Sequence, residues 1–150
     1  MNTKFHLAQL NIADAKADQN SDIMSGFVDR LGEIHVLAEG SPGFIWRYQD
    51  EEGEEAPKVI FNNPLILVNM TLWQDIDSLR HFVYKTTHKE LIQGREAWFH
   101  KMQEMHQVLW WVPEGHIPTL QEAKLRLDLI RQEGSTQKAF SFAKPYTPTS

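Results

Sequence analysis

The chain contains no cysteine in its 150 residues. That excludes disulfides, thiol nucleophiles and thiolate-held metals. It has no basic excess either: 15 Lys and Arg stand against 20 Asp and Glu, for a formal net charge of −5. No Lys/Arg cluster breaks this balance, so the electrostatic footprint of a nucleic-acid partner is missing. No apolar run reaches the ~20 residues that span a bilayer, and the first residues lack the basic-then-apolar order of a secretory signal. The expectation is a cytoplasmic protein with neither a membrane nor a nucleic-acid partner. Also missing are a Gly-rich phosphate loop, a G-x-S-x-G elbow, a dinucleotide fingerprint and an H-E-x-x-H zinc helix. His100 and His106 do not share a helix face, so no metal site is expected.

What is present is a globular composition, 41% apolar and 23% charged, with enough length for one real core. Five Trp and eight Phe make it rather aromatic. We read a single domain over residues 1–150, with its core in 5–143 and a frayed tail at 144–150.

Phe5–Ile12 alternates as a strand, with Ala8, Leu10 and Ile12 on one face and Phe5, Leu7, Gln9 and Asn11 on the other. Ser21 or Asp22 opens a helix to about Ala38, with Ile23, Met24, Phe27, Val28, Leu31, Ile34 and Leu37 inward. Phe44–Tyr48 is a short aromatic strand in which Trp46 and Arg47 point opposite ways. The acidic QDEEGEEAP run lacks the Asp/Asn spacing of a calcium loop and reads as a solvated turn. Lys58–Phe61 reads as a strand extension. Leu65–Trp73 is the strongest strand, apolar enough on both sides to lie centrally, with Leu67, Asn69 and Thr71 sharing one face. Asp75 caps a helix with Ile76, Leu79, Phe82 and Val83 inward. Gln107–Val112 is another strand and places Trp110 and Trp111 on opposite faces. Thr119 and Glu122 form a capping box for a helix to Gly134, and Lys138–Ala143 is a last strand.

The stretch 86–119 organises the rest. Thr87 and Glu90 form a second capping box, marking a junction of two helices, or a bend, at Thr86–Thr87. Beyond it His88, Leu91, Ile92, Arg95, Phe99, Met102 and His106 recur at helical spacing. His88 and Arg95 therefore lie in an apolar stripe, two turns and about 10 Å apart. An inward arginine is costly without a partner, and that partner is either a protein carboxylate or a ligand. His88, in the first turn and facing inward, is expected to be neutral through desolvation and the helix dipole.

The element order β-α-β-β-α(α)-β-α-β begins with the ferredoxin-like split-βαβ plan, an α+β fold with an antiparallel sheet. Helices would cover one face only. The other face, carrying Leu7, Gln9, Leu67, Asn69 and a tryptophan, is too apolar to stay wet, which implies a homodimer in which two sheets face each other as a dimeric α+β barrel.

HLAQLNIA, GFIWRY, VNMTLW, LRHFVYKTTHKELIQGREAWF, LWWVPEGHIPTLQEAKLRL and AFSF together resemble the DUF3291 family across residues 5–143. The resemblance implies a dimeric α+β barrel, with relatives among antibiotic-biosynthesis monooxygenases and haem-degrading enzymes. The family itself has no known function.

The candidate site is thus His88 and Arg95 as catalytic residues, with Asn69, Trp98, Trp110, Trp111 and His116 as ligand contacts. His88 would handle a proton, while Arg95 and Asn69 would orient a substrate oxygen. The tryptophans would supply an aromatic wall, and His116, in the PEGHIP turn, would reach over the mouth. Each has a plain alternative: a core histidine, an ion-paired arginine, core tryptophans, a surface histidine. Three functions follow. One is a small-molecule-binding, monooxygenase-like enzyme for an apolar or aromatic substrate. The second is a non-catalytic ligand- or haem-binding dimer. The third is a purely structural dimer. No cofactor is required by the sequence; haem would need His88 as its axial ligand.

Overall fold

The first strand, β1 (Phe5–Ala15), holds the sheet together. Along one side it pairs antiparallel with β3 (Ile66–Trp73). Along the other it pairs with β5 (Gln107–Pro113) and, at its far end, with the two-residue β4 (Phe99–His100). Strand β2 (Phe44–Arg47) adds to the outside of β3. The computed structural model describes residues 4–18, 20–50, 52–88 and 98–148, with the side chains of 87 and 88 excepted. The resulting order, β2-β3-β1-β5, is antiparallel throughout. It is the ferredoxin-like α+β arrangement expected from the element order, built on a curled sheet.

Register sets which residues share a face, because directly opposed residues of an antiparallel pair point the same way. One face carries Trp111, Leu7, Trp73 and Phe44 in a row across four strands. The next row is Leu109, Gln9, Thr71 and Arg47, and the one after is Gln107, Asn11 and Asn69. Beyond these come Ala13 with Leu67, then Ala15 with Phe99.

Two helices lie over this face, α1 (Ser25–Glu39) and α3 (Ile76–His88). Ala38, Ile76, Leu79 and Phe82 join Leu7 and Trp73 in one apolar cluster. Met24 and Phe27 join Ala15, Leu67, Trp98 and Phe99 in another. Asp75 caps α3 as its sequence position implies, its Oδ1 accepting from the Ser78 amide at 2.8 Å.

The opposite face is Ala8, Leu10, Ile12, Met70, Leu72, Val108, Trp110 and Val112. It is covered by α2 (Pro57–Ile60) and α4 (Leu120–Glu133). Leu120, Ala123, Leu127 and Ile130 all bury against it, as the spacing of α4 requires. Helices therefore cover both faces, which corrects the expectation of a one-sided sheet. The face that carries Leu7 and Gln9 is the one beneath α1 and α3, where these residues are 0% and 3% exposed. The sheet itself supplies no apolar face that calls for a second copy.

Local expectations were overridden elsewhere. Lys58–Phe61 is helical up to Ile60, because Pro57 at the first helical position starts a turn that the Phe61 amide closes onto the Pro57 carbonyl. Residues 99–106 do not continue a helix: Phe99 and His100 pair with Ala15 and Asp14 in the sheet, which wins over the local stripe. α3 runs without a break through Thr86–Thr87, so no junction lies there and His88 is the thirteenth residue of that helix. The dipole argument for a neutral His88 therefore lapses. Ile23, in the 3-10 turn before α1, and Val28, on α1, lie outward at 59% and 40% exposure. Lys138–Ala143 contributes a single bridge to β5, Phe140 with Leu109, between tight turns. In the tail the Trp111 indole donates to the Tyr146 carbonyl at 2.8 Å, and Gln137 Nε2 to the Thr147 carbonyl at 2.7 Å.

Candidate functional site

Between the two apolar clusters beneath α1 and α3 runs a polar band two rows deep. Its centre is Gln9. A buried primary amide is retained only where its hydrogens find acceptors. Gln9 Nε2 donates to Asn69 Oδ1 at 2.7 Å and to Thr71 Oγ1 at 3.0 Å. The same hydroxyl oxygen accepts from the Trp73 indole at 2.8 Å. On the other side Gln107 Nε2 reaches Gln9 Oε1 at 3.4 Å. Side chains from three adjacent strands are thereby tied into one network. Asn69 is half-buried, and its Nδ2 has no acceptor among the described residues. Asn11, its direct partner in register, is half-buried too. Register places Gln9 opposite Thr71 and Asn11 opposite Asn69, all on the same face.

Above the band, the middle of α1 presents Leu31, Ile34 and His35, all half-buried, between Phe27 at one end and Ala38 at the other. At the β2 edge Arg47 sits in the Gln9–Thr71 row. Its Nε donates to Glu39 Oε2 at 3.2 Å. Burial, and after it the neighbouring Arg47 charge, holds His35 below its ordinary pKa of 6.5.

The candidate residues do not all converge. Asn69 is in the band. Trp111 lies in the row above it, half-buried, 6.4 Å ring to ring from Phe140. Trp98 lies at the opposite end of the layer, 5.8 Å from the Phe27 ring and with the Arg30 guanidinium 5.2 Å over its face. Trp110 and His116 belong to the other side of the sheet. Trp110 is fully buried against α4 and donates to Glu122 Oε2 at 2.9 Å. Glu122 Oε1 is 2.7 Å from His116 Nε2. The Glu122 amide donates to Thr119 Oγ1, so the forward half of that capping box forms, while both oxygens of its carboxylate serve the Trp–His pair. The side chain of His88, and Arg95 altogether, lie outside the described residues.

Sequence reading missed Gln9 as the hub, Arg47 and His35 as its neighbours, and Glu122 as the link between Trp110 and His116. The signal for Gln9 was there: a polar residue inside an alternating strand next to fully apolar positions. Glu122 was hidden by its capping role.

Two surface clefts stand apart from the band. One, of about 270 Å³, is lined by Lys4, Phe5, His6, Gln74 and Glu114. His6 Nδ1 is the one buried side-chain polar atom without a hydrogen-bond partner among the described residues. The other, of about 240 Å³, runs along Ala15, Ala17, Leu65 and Leu67. Among the described residues no three His, Asp or Glu side chains group as metal ligands, and no helix is long and apolar enough to cross a membrane.

A curled antiparallel sheet in split-βαβ order, with two helices over a polar band, defines the chain as an α+β protein of ferredoxin-like arrangement. A conserved protein from Methanosarcina mazei Go1 superposes with a TM-score of 0.50 at 15% identity, over 72% of this chain and 91% of that one. A Nitrosomonas europaea protein provisionally described as an antibiotic biosynthesis monooxygenase gives 0.48 at 12% identity, over 79% and 97%. SnoaB, a cofactor-independent oxygenase from Streptomyces nogalater, gives 0.45 at 13% identity, over 77% and 96%. These likenesses concern the fold alone. The family is more specific: the model of DUF3291, a domain of unknown function, matches residues 6–150, and the chain belongs to that family. No protein of curated function matches the sequence.

Proposed function

We propose that this protein binds an apolar or aromatic small molecule in the layer between the sheet and helices α1 and α3, against the Gln9–Asn69–Thr71 band, and that it acts on it as a monooxygenase-like enzyme. The observation that carries this reading is the half-buried Asn69 amide, whose Nδ2 has no acceptor among the described residues while its Oδ1 is fixed by Gln9. An oriented donor with aromatic clusters on either side is what a carbonyl- or hydroxyl-bearing ring needs. Trp111 and Trp98 would bound the ligand at the two ends. Trp110 and His116 would act from the far face, by holding β5 to α4 through Glu122.

In this reading Arg95 and Asn69 orient the substrate oxygen and His88 accepts a proton from the adjacent carbon. The carbanion of a CH₂ carbon then reduces O₂ directly to a C–OOH adduct, which loses water to leave C=O, so the substrate supplies the electrons and no redox group of the protein takes part. The non-catalytic alternative uses the same contacts without turnover, with haem as one ligand. A homodimer is part of the proposal. Its support lies on the outer surface of α1, where Val28 and Val36 are 40% and 71% exposed, and in the turn before it, where Ile23 is 59% exposed.

Native mass spectrometry of freshly purified protein, with an absorption spectrum of the same sample, tests all of this. The expected result is a dimer mass with a retained small molecule that Asn69→Leu no longer retains. A ligand-free protein that takes up no aromatic compound from a panel would overturn the reading, and a haem band would favour the non-catalytic alternative.

A further inference from the structure

We infer that Arg47 determines specificity at this site, and that the ligand carries a carboxylate at the end nearest β2. The inference rests on the ligand site proposed above. Arg47 stands directly opposite Thr71, and Thr71 opposite Gln9, so one row of the inner face runs Gln9–Thr71–Arg47. Two strand spacings, about 10 Å, separate the outer members of that row. An aromatic bicycle lying along it would have one end over the Gln9–Asn69 amides and the other at the guanidinium.

Among the described residues Arg47, its side chain 23% exposed, makes a single ion pair, through Nε with Glu39, whose own side chain is 50% exposed. Such a half-solvated pair contributes little. Both Nη groups are without an acceptor among the described residues. The Arg47–Glu39 contact lies at the exposed edge of the sheet, so the fork stands where a ligand carboxylate arriving from solvent can meet it. Two parallel N–H donors in a plane match the two oxygens of a carboxylate better than a single hydroxyl. His35, close enough to feel the Arg47 charge, is biased toward its neutral form by burial and by Arg47.

The test compares 2-naphthoate with 2-naphthylmethanol, which has the same ring without the charge, by isothermal titration calorimetry on the full chain. The expected result is naphthoate binding at least about tenfold tighter than the alcohol, the scale of charge-assisted hydrogen bonds. Arg47→Gln should remove that preference and leave the alcohol unchanged. Arg47→Lys, which keeps the charge without the fork, should fall between, and it serves as the test if Arg47→Gln does not fold. Asn69→Leu should weaken both probes. Equal binding of both probes, indifferent to Arg47, overturns the role of Arg47 and leaves the ligand site standing. Naphthoate binding that depends on Arg47 but not on Asn69 is a surface ion contact and also overturns the inference. No binding of either probe overturns both readings.

Discussion

Gln9 and Asn69, 60 residues apart in sequence, meet across β1 and β3 with the Gln9 amide nitrogen 2.7 Å from the Asn69 carboxamide oxygen. The contact engages the Asn69 oxygen, while the Asn69 nitrogen has no acceptor among the described residues. The function proposed for this protein depends on that nitrogen.

Replacing Gln9 by Leu should therefore act on stability and on binding. The substitution removes the donor shared by Asn69 and Thr71 in a site 3% exposed. A loss of about 1–3 kcal/mol is expected for acceptors left without that donor. It should register as a lower urea midpoint with an unchanged slope. A variant as stable as the parent would show that the network is dispensable for folding.

Glu122 is expected to matter more than a capping residue does. Glu122→Ala leaves the buried Trp110 indole without its acceptor and releases His116, at a cost of about 1–3 kcal/mol in guanidinium unfolding. Glu122→Gln keeps one acceptor oxygen and should lose less. Thr119→Ala removes only the cap, for about 1 kcal/mol. Equal losses for Glu122→Ala and Thr119→Ala would reduce Glu122 to its helix-starting role.

Acidification should destabilise the fold through His35. Its folded-state pKa lies below 6.5, because burial and Arg47 disfavour its charged form, while Glu39 and Asp50 oppose them more weakly. As pH falls past 6.5 the unfolded chain takes up this proton before the folded one does. The contribution is thus complete above that pH and is lost below it. Unfolding free energies measured against pH for the wild type and for His35→Gln should diverge on the acid side, the wild type losing more. A parallel pair of curves would show that His35 carries no such linkage.

Arg95→Leu separates a ligand clamp from a structural ion pair. If Arg95 serves a ligand, the variant should melt at or above the parent temperature and no longer be stabilised by an aromatic ligand. If it pairs with a protein carboxylate, the change strands that charge and should cost several kcal/mol. A large fall in melting temperature with no ligand effect would remove Arg95 from the site.

Most of the elements were legible because their causes are local. Alternation in residues 66–73 identified a central strand, Asp75 and Thr119 marked the helix starts they do cap, and the spacing of Leu120, Ala123, Leu127 and Ile130 named the buried side of α4. Adjacent tryptophans in a strand must point to opposite faces, and Trp110 and Trp111 do. What the tertiary structure alone decided is how these faces meet. A period of two groups Gln9 with Asn11, and Asn69 with Thr71, and the fold plan puts Gln9 and Asn69 on one face, but neither says that Gln9 stands opposite Thr71 and Asn11 opposite Asn69, since that depends on register between segments 60 residues apart. For the same reason the helical spacing that includes Phe99 gives way to its pairing with Ala15 in the sheet. Arg47 became part of the band only when β2 aligned it with Thr71. Long-range backbone pairing, which no local pattern encodes, assembled the polar band from residues that look unrelated along the chain.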